Sequence, residues 1–265
     1  MKKYITFLAG LLFLAGCGSG AVTGSSPKES YKVVKTHTYN EDGGDVEYGT
    51  FTYNSAGYVE TQVINDFTNP ELTTVFEYDE EGNIVKKNAK TDSSEDRWGE
   101  EETAYENMYD ENHRLIEQIG HSKVFYFREN TFDSTETFEF DDKNRVIKSE
   151  IVLTTPENEE VIDEVTETYT YDKDCNVATI TKNNDSGVTV EKYEYDKNKN
   201  KTKLISEYTG NGAGAETTIS EYKNEYDEHQ NLVKITTNTY LPNGSNKITY
   251  TENEYSLITI LPNAQ

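Results

Sequence analysis

The sequence predicts an all-β fold: antiparallel β-hairpin repeats forming a curled or elongated single-layer sheet. Three observations carry that expectation. Aromatic residues followed by Asp or Asn recur at Tyr53-Asn54, Tyr78-Asp79, Tyr109-Asp110, Phe140-Asp141, Tyr171-Asp172, Tyr195-Asp196 and Tyr226-Asp227, in steps of 25, 31, 31, 31, 24 and 31 residues. The apolar supply is dominated by 20 Tyr and 10 Phe, and much of the rest is Thr, Val and Ile, which suit a pleated, half-buried surface. Segments with turn chemistry separate the units: Asn69-Pro70, Thr155 to Asn158, Asn183 to Gly187, Gly210 to Gly214 and Pro242-Asn243-Gly244. A 31-residue step holds two strands, one tight turn and one looser return, which gives about 15 strands in a meander of hairpins.

The first residues stand apart from this pattern. Lys2 and Lys3 precede a short apolar run, Tyr4 to Ala15, too brief to span a bilayer as a helix and laid out as a secretory signal. The run ends in Leu14-Ala15-Gly16-Cys17, which resembles the lipobox of bacterial lipoproteins. The resemblance implies cleavage before Cys17, a diacylglyceride on its thiol and attachment to a bacterial cell membrane or outer membrane. Residues 1–16 are then a lipoprotein signal peptide, 17–30 the anchor and a Gly- and Ser-rich flexible linker, and 31–265 the β-repeat domain. A random coil of the length of Gly18–Ser30 reaches about 20 Å.

Within the repeat, Phe76 to Val85 (FEYDEEGNIV) shows why the unit is spelled as it is. A three-residue hairpin loop is a type I turn followed by a residue of positive φ, and Glu80, Glu81 and Gly82 fit its positions. Asp79 and Asn83 then flank the loop, and the Asp carboxylate accepts turn N–H groups. This register sets Tyr78 opposite Ile84, Tyr53 opposite Val59, Tyr109 opposite Leu115, Phe140 opposite Val146, Tyr171 opposite Val177 and Tyr226 opposite Leu232. Tyr195, opposite Lys201, is the exception. Extended outward without a break, it places Phe76 beside Lys86, Phe138 beside Lys148 and Tyr193 beside Lys203, an aromatic–lysine face, with Glu77, Glu139 and Glu225 meeting Val85, Ile147 and Val233 on the other.

The units resemble the YD repeats of the RHS family, whose pattern is close to Tyr-Asp-x-x-Gly-Asn. Tyr78 to Asn83 matches it in full; Asn176, Asn200 and Asn231 keep the final Asn, while His113, Asn144, Cys175, Lys199 and Gln230 replace the Gly, which departs from the bulge geometry expected of the motif. In large relatives such repeats build β-sheets that coil into shells. For the present chain the resemblance implies a short scaffold in which Asp79, Gly82, Asn83, Asp110, Asp141, Asp172, Asp196 and Asp227 are structural turn residues.

Composition narrows the function classes. The net charge is −24, and it becomes two units more negative once Lys2 and Lys3 leave with the signal. Such a surface repels phosphates, so nucleic acid is not an expected partner. If Cys17 carries lipid, Cys175 has no disulfide partner, and it occupies a turn position. The four His are scattered outside zinc-ligand spacings. The Asp172-Lys173-Asp174 run with Asn176 offers oxygen ligands for calcium, but turn capping already accounts for the Asp. No metal and no cofactor is expected.

With no nucleophile motif and carboxylates too abundant to nominate a dyad, the chain reads as a binder and not an enzyme. The expected function is a lipid-anchored envelope or cell-surface protein that binds a glycan or a surface protein. The alternative is an envelope structural or assembly protein without a specific ligand, and a glycan-active enzyme ranks last. Candidate contact residues are Arg97 and Trp98, in the unpatterned stretch from Lys90 to Glu102, and the aromatic–lysine pairs Phe76 and Lys86, Phe138 and Lys148, and Tyr193 and Lys203. The anchor reading has a direct test: Cys17→Ala abolishes incorporation of labelled palmitate and releases the protein from the membrane fraction, whereas unchanged labelling refutes it.

Overall fold

The computed structural model describes residues 28–67, 71–91, 100–126, 128–210 and 214–261. Cys17, the signal and most of the linker, Asn69-Pro70, and Arg97-Trp98 lie outside them. The chain forms strands β1 (Lys28–Asn40), β2 (Asp45–Tyr53), β3 (Val59–Asn65), β4 (Leu72–Tyr78), β5 (Ile84–Thr91), β6 (Glu100–Tyr109), β7 (Leu115–Tyr126) and β8 (Arg128–Phe140). They continue as β9 (Val146–Thr154), β10 (Val161–Tyr171), β11 (Val177–Asn184), β12 (Gly187–Tyr195), β13 (Lys201–Gly210), β14 (Ala215–Tyr226), β15 (Leu232–Tyr240) and β16 (Asn246–Ile260). The first strand starts inside the segment read as linker.

Each strand pairs antiparallel with its sequence neighbour, and β1 pairs with β16 from Lys28↔Ile260 to Asn40↔Thr249. The sheet is therefore a closed barrel of 16 strands, which corrects the expected curled or elongated single-layer sheet. Closure has a local cause. The strand that follows each aromatic–Asp turn carries one unpaired residue: Glu60, Val85, Ile116, Ile147, Ala178, Thr202 and Val233 are skipped in the ladders. A bulge bends its strand and adds twist, and seven at equivalent places bend the sheet one way throughout. The concave face is lined with small residues that permit it, among them Thr103 at 0% exposure, Ser149 at 1%, and the buried Thr74, Ala89, Ser122, Ser134 and Ser220. Pairing the long terminal strands then removes both exposed edges.

The hairpin register holds next to the turns and fails beyond them. Tyr78↔Ile84, Tyr53↔Val59, Tyr109↔Leu115, Phe140↔Val146, Tyr171↔Val177, Tyr195↔Lys201 and Tyr226↔Leu232 are all present. One step further out the bulge shifts the pairing, so Glu77 meets Lys86, Glu139 meets Lys148, Glu194 meets Lys203 and Glu225 meets Lys234. Phe76 instead faces Lys87, Phe138 faces Ser149 and Tyr193 faces Leu204. The aromatic–lysine face is thus dissolved: because strand side chains alternate, a one-residue slip sends the aromatics inward and the lysines outward.

The seven turns from Tyr53-Asn54 to Tyr226-Asp227 lie at one mouth of the barrel, together with the start of β1 and the end of β16, while Tyr39-Asn40 makes the same turn at the other mouth. Leu261 donates its N–H to the Ser55 carbonyl in the Tyr53-Asn54 turn, at 2.7 Å. Every such turn has the same geometry. Gly82 N–H donates to Asp79 O at 3.2 Å and Asp79 N–H to Asn83 O at 2.9 Å. The Asp79 carboxylate accepts the Asn83 N–H at 2.8 Å. Positive φ is kept where Gly is replaced, at His113, Asn144, Cys175, Lys199 and Gln230, so the bulge survives those substitutions.

The recurrent spelling also serves a contact between hairpins. Tyr109 donates its hydroxyl to the Asp79 carboxylate of the preceding turn, and Asn83 donates to the Tyr109 oxygen at 3.0 Å. Tyr226, Asp196 and Asn200 repeat the arrangement. Tyr78, Tyr171 and Tyr255 instead reach the carbonyls of Val59, Val146 and Leu232, the first residue after the preceding turn. Tyr53 on β2 reaches the Val33 carbonyl on β1 at 2.6 Å. Phe140 has no hydroxyl, and there the Arg114 guanidinium lies 4.8 Å above its ring. We call these contacts brackets.

Two substitutions test this account. Tyr109→Phe removes a hydrogen bond to a charged acceptor and lowers the urea unfolding free energy by about 1–2 kcal/mol. Tyr78→Ala costs about 2–4 kcal/mol and Glu77→Ala under about 0.5 kcal/mol, because the first is partly buried and bracketed and the second points outward. Equal costs for that pair refute the facing assignment.

Candidate functional site

A strand of this barrel has two unlike faces. The outer face carries ladders of opposite charge: Lys86–Glu102 at 2.9 Å, Lys90–Glu100 at 2.7 Å, Lys148–Glu150 at 2.6 Å, Lys192–Glu207 at 2.9 Å, Lys234–Glu252 at 2.9 Å and Lys35–Glu254 at 3.1 Å. Lys86 and Lys148, expected as ligand contacts, are held here by glutamates, and Lys203 points the same way. Such exposed pairs add little stability, about 0–1 kcal/mol each. Their information lies elsewhere: charged pairs run along the outer wall, between exposed apolar side chains such as Val75, Met108, Phe125 and Val188. A lipid-embedded barrel shows an apolar band about 25 Å tall, and a lysine near its midplane costs about 2–4 kcal/mol.

The inner face carries the buried residues and many of the aromatics, while Tyr39, Tyr48 and Tyr250 lie on the outer face near Lys234 and His37. A 16-stranded barrel is wide enough to leave an aqueous lumen. No strand approaches any but its two ladder neighbours within 8 Å between Cα atoms, so opposite walls stay apart. Phe76, Phe138 and Tyr193 project inward, and Phe138 and Tyr193 remain partly exposed in the lumen while Phe76 is buried in the wall.

The densest chemistry lies on the inner wall from β8 to β13. Glu136, Glu167 and Glu191 each stand four residues before the aromatic of an Asp pair, in ETFEFD, ETYTYD and EKYEYD, and therefore on the inner face of β8, β10 and β12. Glu167, at 7% exposure, accepts the Tyr169 hydroxyl at 2.5 Å and lies 3.4 Å from Lys182 Nζ. Lys182 also lies 3.8 Å from Glu191, which accepts the Tyr193 hydroxyl at 2.7 Å. The Lys201 ammonium sits 4.5 Å over the Tyr193 ring. Sequence reasoning passed these glutamates over because carboxylates are everywhere in the chain. The usable signal was their fixed offset from the turn motif, which sets them on one face.

Electrostatics separates the three. Burial, with the Glu167 charge nearby, pushes the Glu136 carboxyl up to about 7, against a smaller opposing effect of the Ser149 hydroxyl. Its Oε1 has no hydrogen-bond partner. Burial likewise raises Tyr169 and Tyr193, and the carboxylates they donate to raise them further. At the turn mouth the opposite holds: Arg114 beside Asp110 lowers that carboxyl to about 2, and Arg145 lowers Asp141. The arrangement offers aromatic faces, fixed acceptors and cations along one wall, which suits hydrogen bonding and stacking. The described residues contain no group of three His, Cys, Asp or Glu side chains placed to hold a metal ion.

The remaining sequence candidates are turn residues. Asp79, Asp110, Asp141, Asp172, Asp196 and Asp227 cap their own loops, and Gly82 takes φ 87°. His37 and His121 pair with Asp45 and Asp133 on the outer face, and the His229 ring stacks on Tyr31 with centroids 4.9 Å apart. Cys175 is a free thiol in a turn at φ 65°.

No protein-family model matches the chain, and no curated protein matches it. Among solved structures it is similar to a porin-like protein from Bacteroides uniformis ATCC 8492, with TM-score 0.49 and 12% identity over 84% of this chain and 96% of that one. It is also similar to a porin-like protein from Bacteroides vulgatus ATCC 8482, with TM-score 0.37 and 15% identity over 84% and 98%. Neither likeness is close enough to carry an argument about this chain.

The charges give a pH profile with two flanks. Asp110, lowered when folded, stabilises the barrel above its ordinary value near 3.8, and that contribution is lost as pH falls through about 2. Glu136 is raised, so its effect has the opposite sign: stability falls as pH rises from 4.5 through about 7. Glu136→Gln therefore raises the unfolding free energy at pH 8 by about 1–3 kcal/mol and leaves it nearly unchanged at pH 4.5. Chemical denaturation at the two pH values checks this, and an equal effect at both refutes it.

Proposed function

We propose that this chain is an exported, Cys17-lipidated envelope protein that binds a glycan against the inner wall of a water-filled barrel. One observation carries the reading: Glu167, Tyr169, Lys182, Glu191 and Tyr193 form a connected cluster of rings, carboxylates and a cation on the inner face, while lysine–glutamate ion pairs run along the outer face. Sugars present hydroxyls at their edges and C–H groups on their faces, so a wall of Tyr193, Phe138, Glu191 and Lys182 supplies both kinds of contact. Aromatic rings give large contact area at low entropic cost, which suits a site built on rigid strands.

The lipobox-like Leu14 to Cys17 supports export and anchoring, and the turn motifs, which resemble YD repeats, supply the scaffold. Binding without turnover is favoured because Glu167 is buried and engaged by Tyr169 and Lys182, and because Glu136 Oε1 is enclosed in the wall. The charged outer wall supports a barrel standing in water beside its membrane.

The test is calorimetry with the detergent-solubilised protein and a panel of cell-wall and storage oligosaccharides. Tyr193→Ala and Phe138→Ala each weaken binding about tenfold, the equivalent of about 1.4 kcal/mol, and Lys86→Ala on the outer face leaves it unchanged. Binding that survives both inner substitutions, or that depends on Lys86, overturns the reading.

A further inference from the structure

We propose that the cleft between the 172–176 and 196–200 turns is a glycan subsite at the turn mouth, opened because the bracket between those hairpins is not made. This rests on the reading of the barrel as a glycan binder and says where on the molecule the ligand is met.

The argument starts from the repeat. Tyr53, Tyr78, Tyr109, Tyr171, Tyr226 and Tyr255 all give their hydroxyls to an acceptor on the neighbouring hairpin, and Phe140 is covered by Arg114. Tyr195 stands at the equivalent position of β12, yet its hydroxyl makes no hydrogen bond among the described residues. Neither an Asp nor a main-chain carbonyl of the preceding hairpin takes it, and two features set this junction apart from the brackets onto Asp79 and Asp196. In the brackets onto Asp79 and Asp196, the residue two before the Tyr is an Asn that also donates to the Asp, as Asn107 and Asn224 do. Before Tyr195 that place holds Tyr193, whose hydroxyl is directed to Glu191. On the other side, Asn176 turns back onto its own Asp172 at 2.9 Å, whereas Asn83 and Asn200 reach forward to the next Tyr.

A cleft remains where the bracket would be. Asp172, Asp174 and Asn176 form one side, and Tyr195, Asp196, Lys197 and Lys199 the other. The mixture selects its ligand. An anion would meet Asp172 and Asp174, and a cation would meet the two lysines. A neutral, polyhydroxylated molecule can donate to the carboxylates and accept from the ammonium groups and the free phenol. The Tyr195 ring continues into the Tyr193 ring, with centroids 6.4 Å apart and planes 29° apart, and Tyr193 belongs to the inner wall. The cleft and the inner-wall cluster therefore form one aromatic track.

The closed junctions provide the control. Tyr195→Phe keeps the ring and removes a hydroxyl without an internal partner, so the urea midpoint stays unchanged. Tyr226→Phe removes a made bracket and lowers it. With chitotetraose titrated into the detergent-solubilised protein, Tyr195→Phe and Asp174→Asn each raise Kd about five- to tenfold, and Asn112→Ala at a remote turn does not. The subsite is refuted if Tyr195→Phe leaves Kd unchanged, or if it destabilises the fold as Tyr226→Phe does, since the bracket would then be closed in solution. Binding that responds to Tyr193→Ala and not to Tyr195→Phe removes the subsite alone. Absence of saturable chitotetraose binding removes the subsite for this glycan class.

Discussion

The structure depends on a carboxylate used twice. In each aromatic–Asp turn one oxygen of the Asp accepts N–H groups of its own loop and fixes a residue of positive φ two places before the following strand resumes. The second oxygen is left for another partner: the next hairpin's Tyr at Asp79 and Asp196, or the Arg four residues on at Asp110 and Asp141. At Asp79 and Asp196 loop geometry and assembly of hairpins are thereby coupled through one side chain, while Asp172 and Asp227 hold the Asn of their own loop. The bulge that follows each loop turns a row of such hairpins into a cylinder. Little of this needs a thick apolar core, which explains how a chain with only 34% hydrophobic residues encloses a volume of this kind.

Much of this was legible in the sequence because it is local. The turn type, the Asp–Asn flanking pair and the first cross-strand pair follow from a few consecutive residues. The next pair did not follow, because the bulge at Val85 and its counterparts has no single-residue signature: its residues are Val, Ile, Ala, Thr or Glu, all ordinary in strands. One unseen residue per hairpin reversed the facing of Phe76 against Lys86. Closure was illegible for a related reason. It is the sum of small bends, joined by a seam between β1 and β16 whose partners lie at opposite ends of the chain.

The inner cluster shows the same division between what spacing carries and what composition hides. Of the many Glu in the chain, those four residues before the aromatic of an aromatic–Asp pair point inward, and those directly before that aromatic point out to lysines. Net charge and residue counts cannot distinguish the two sets. Facing does, and facing is also what separates Glu167, buried against Tyr169, from Glu139, paired with Lys148 in water.

The placement of every aromatic–Asp turn at one mouth, beside both chain ends, divides the molecule's freedom to vary. At that mouth a change in loop length displaces a capping carboxylate and with it the neighbouring hairpin. At the other mouth the described returns already differ in length within this one chain, from two residues between β11 and β12 to six between β9 and β10. Descent with insertion can therefore proceed at one rim while the cylinder beneath it keeps its form, so lineages built on this plan are free to diverge in what they present outward without relearning how to fold.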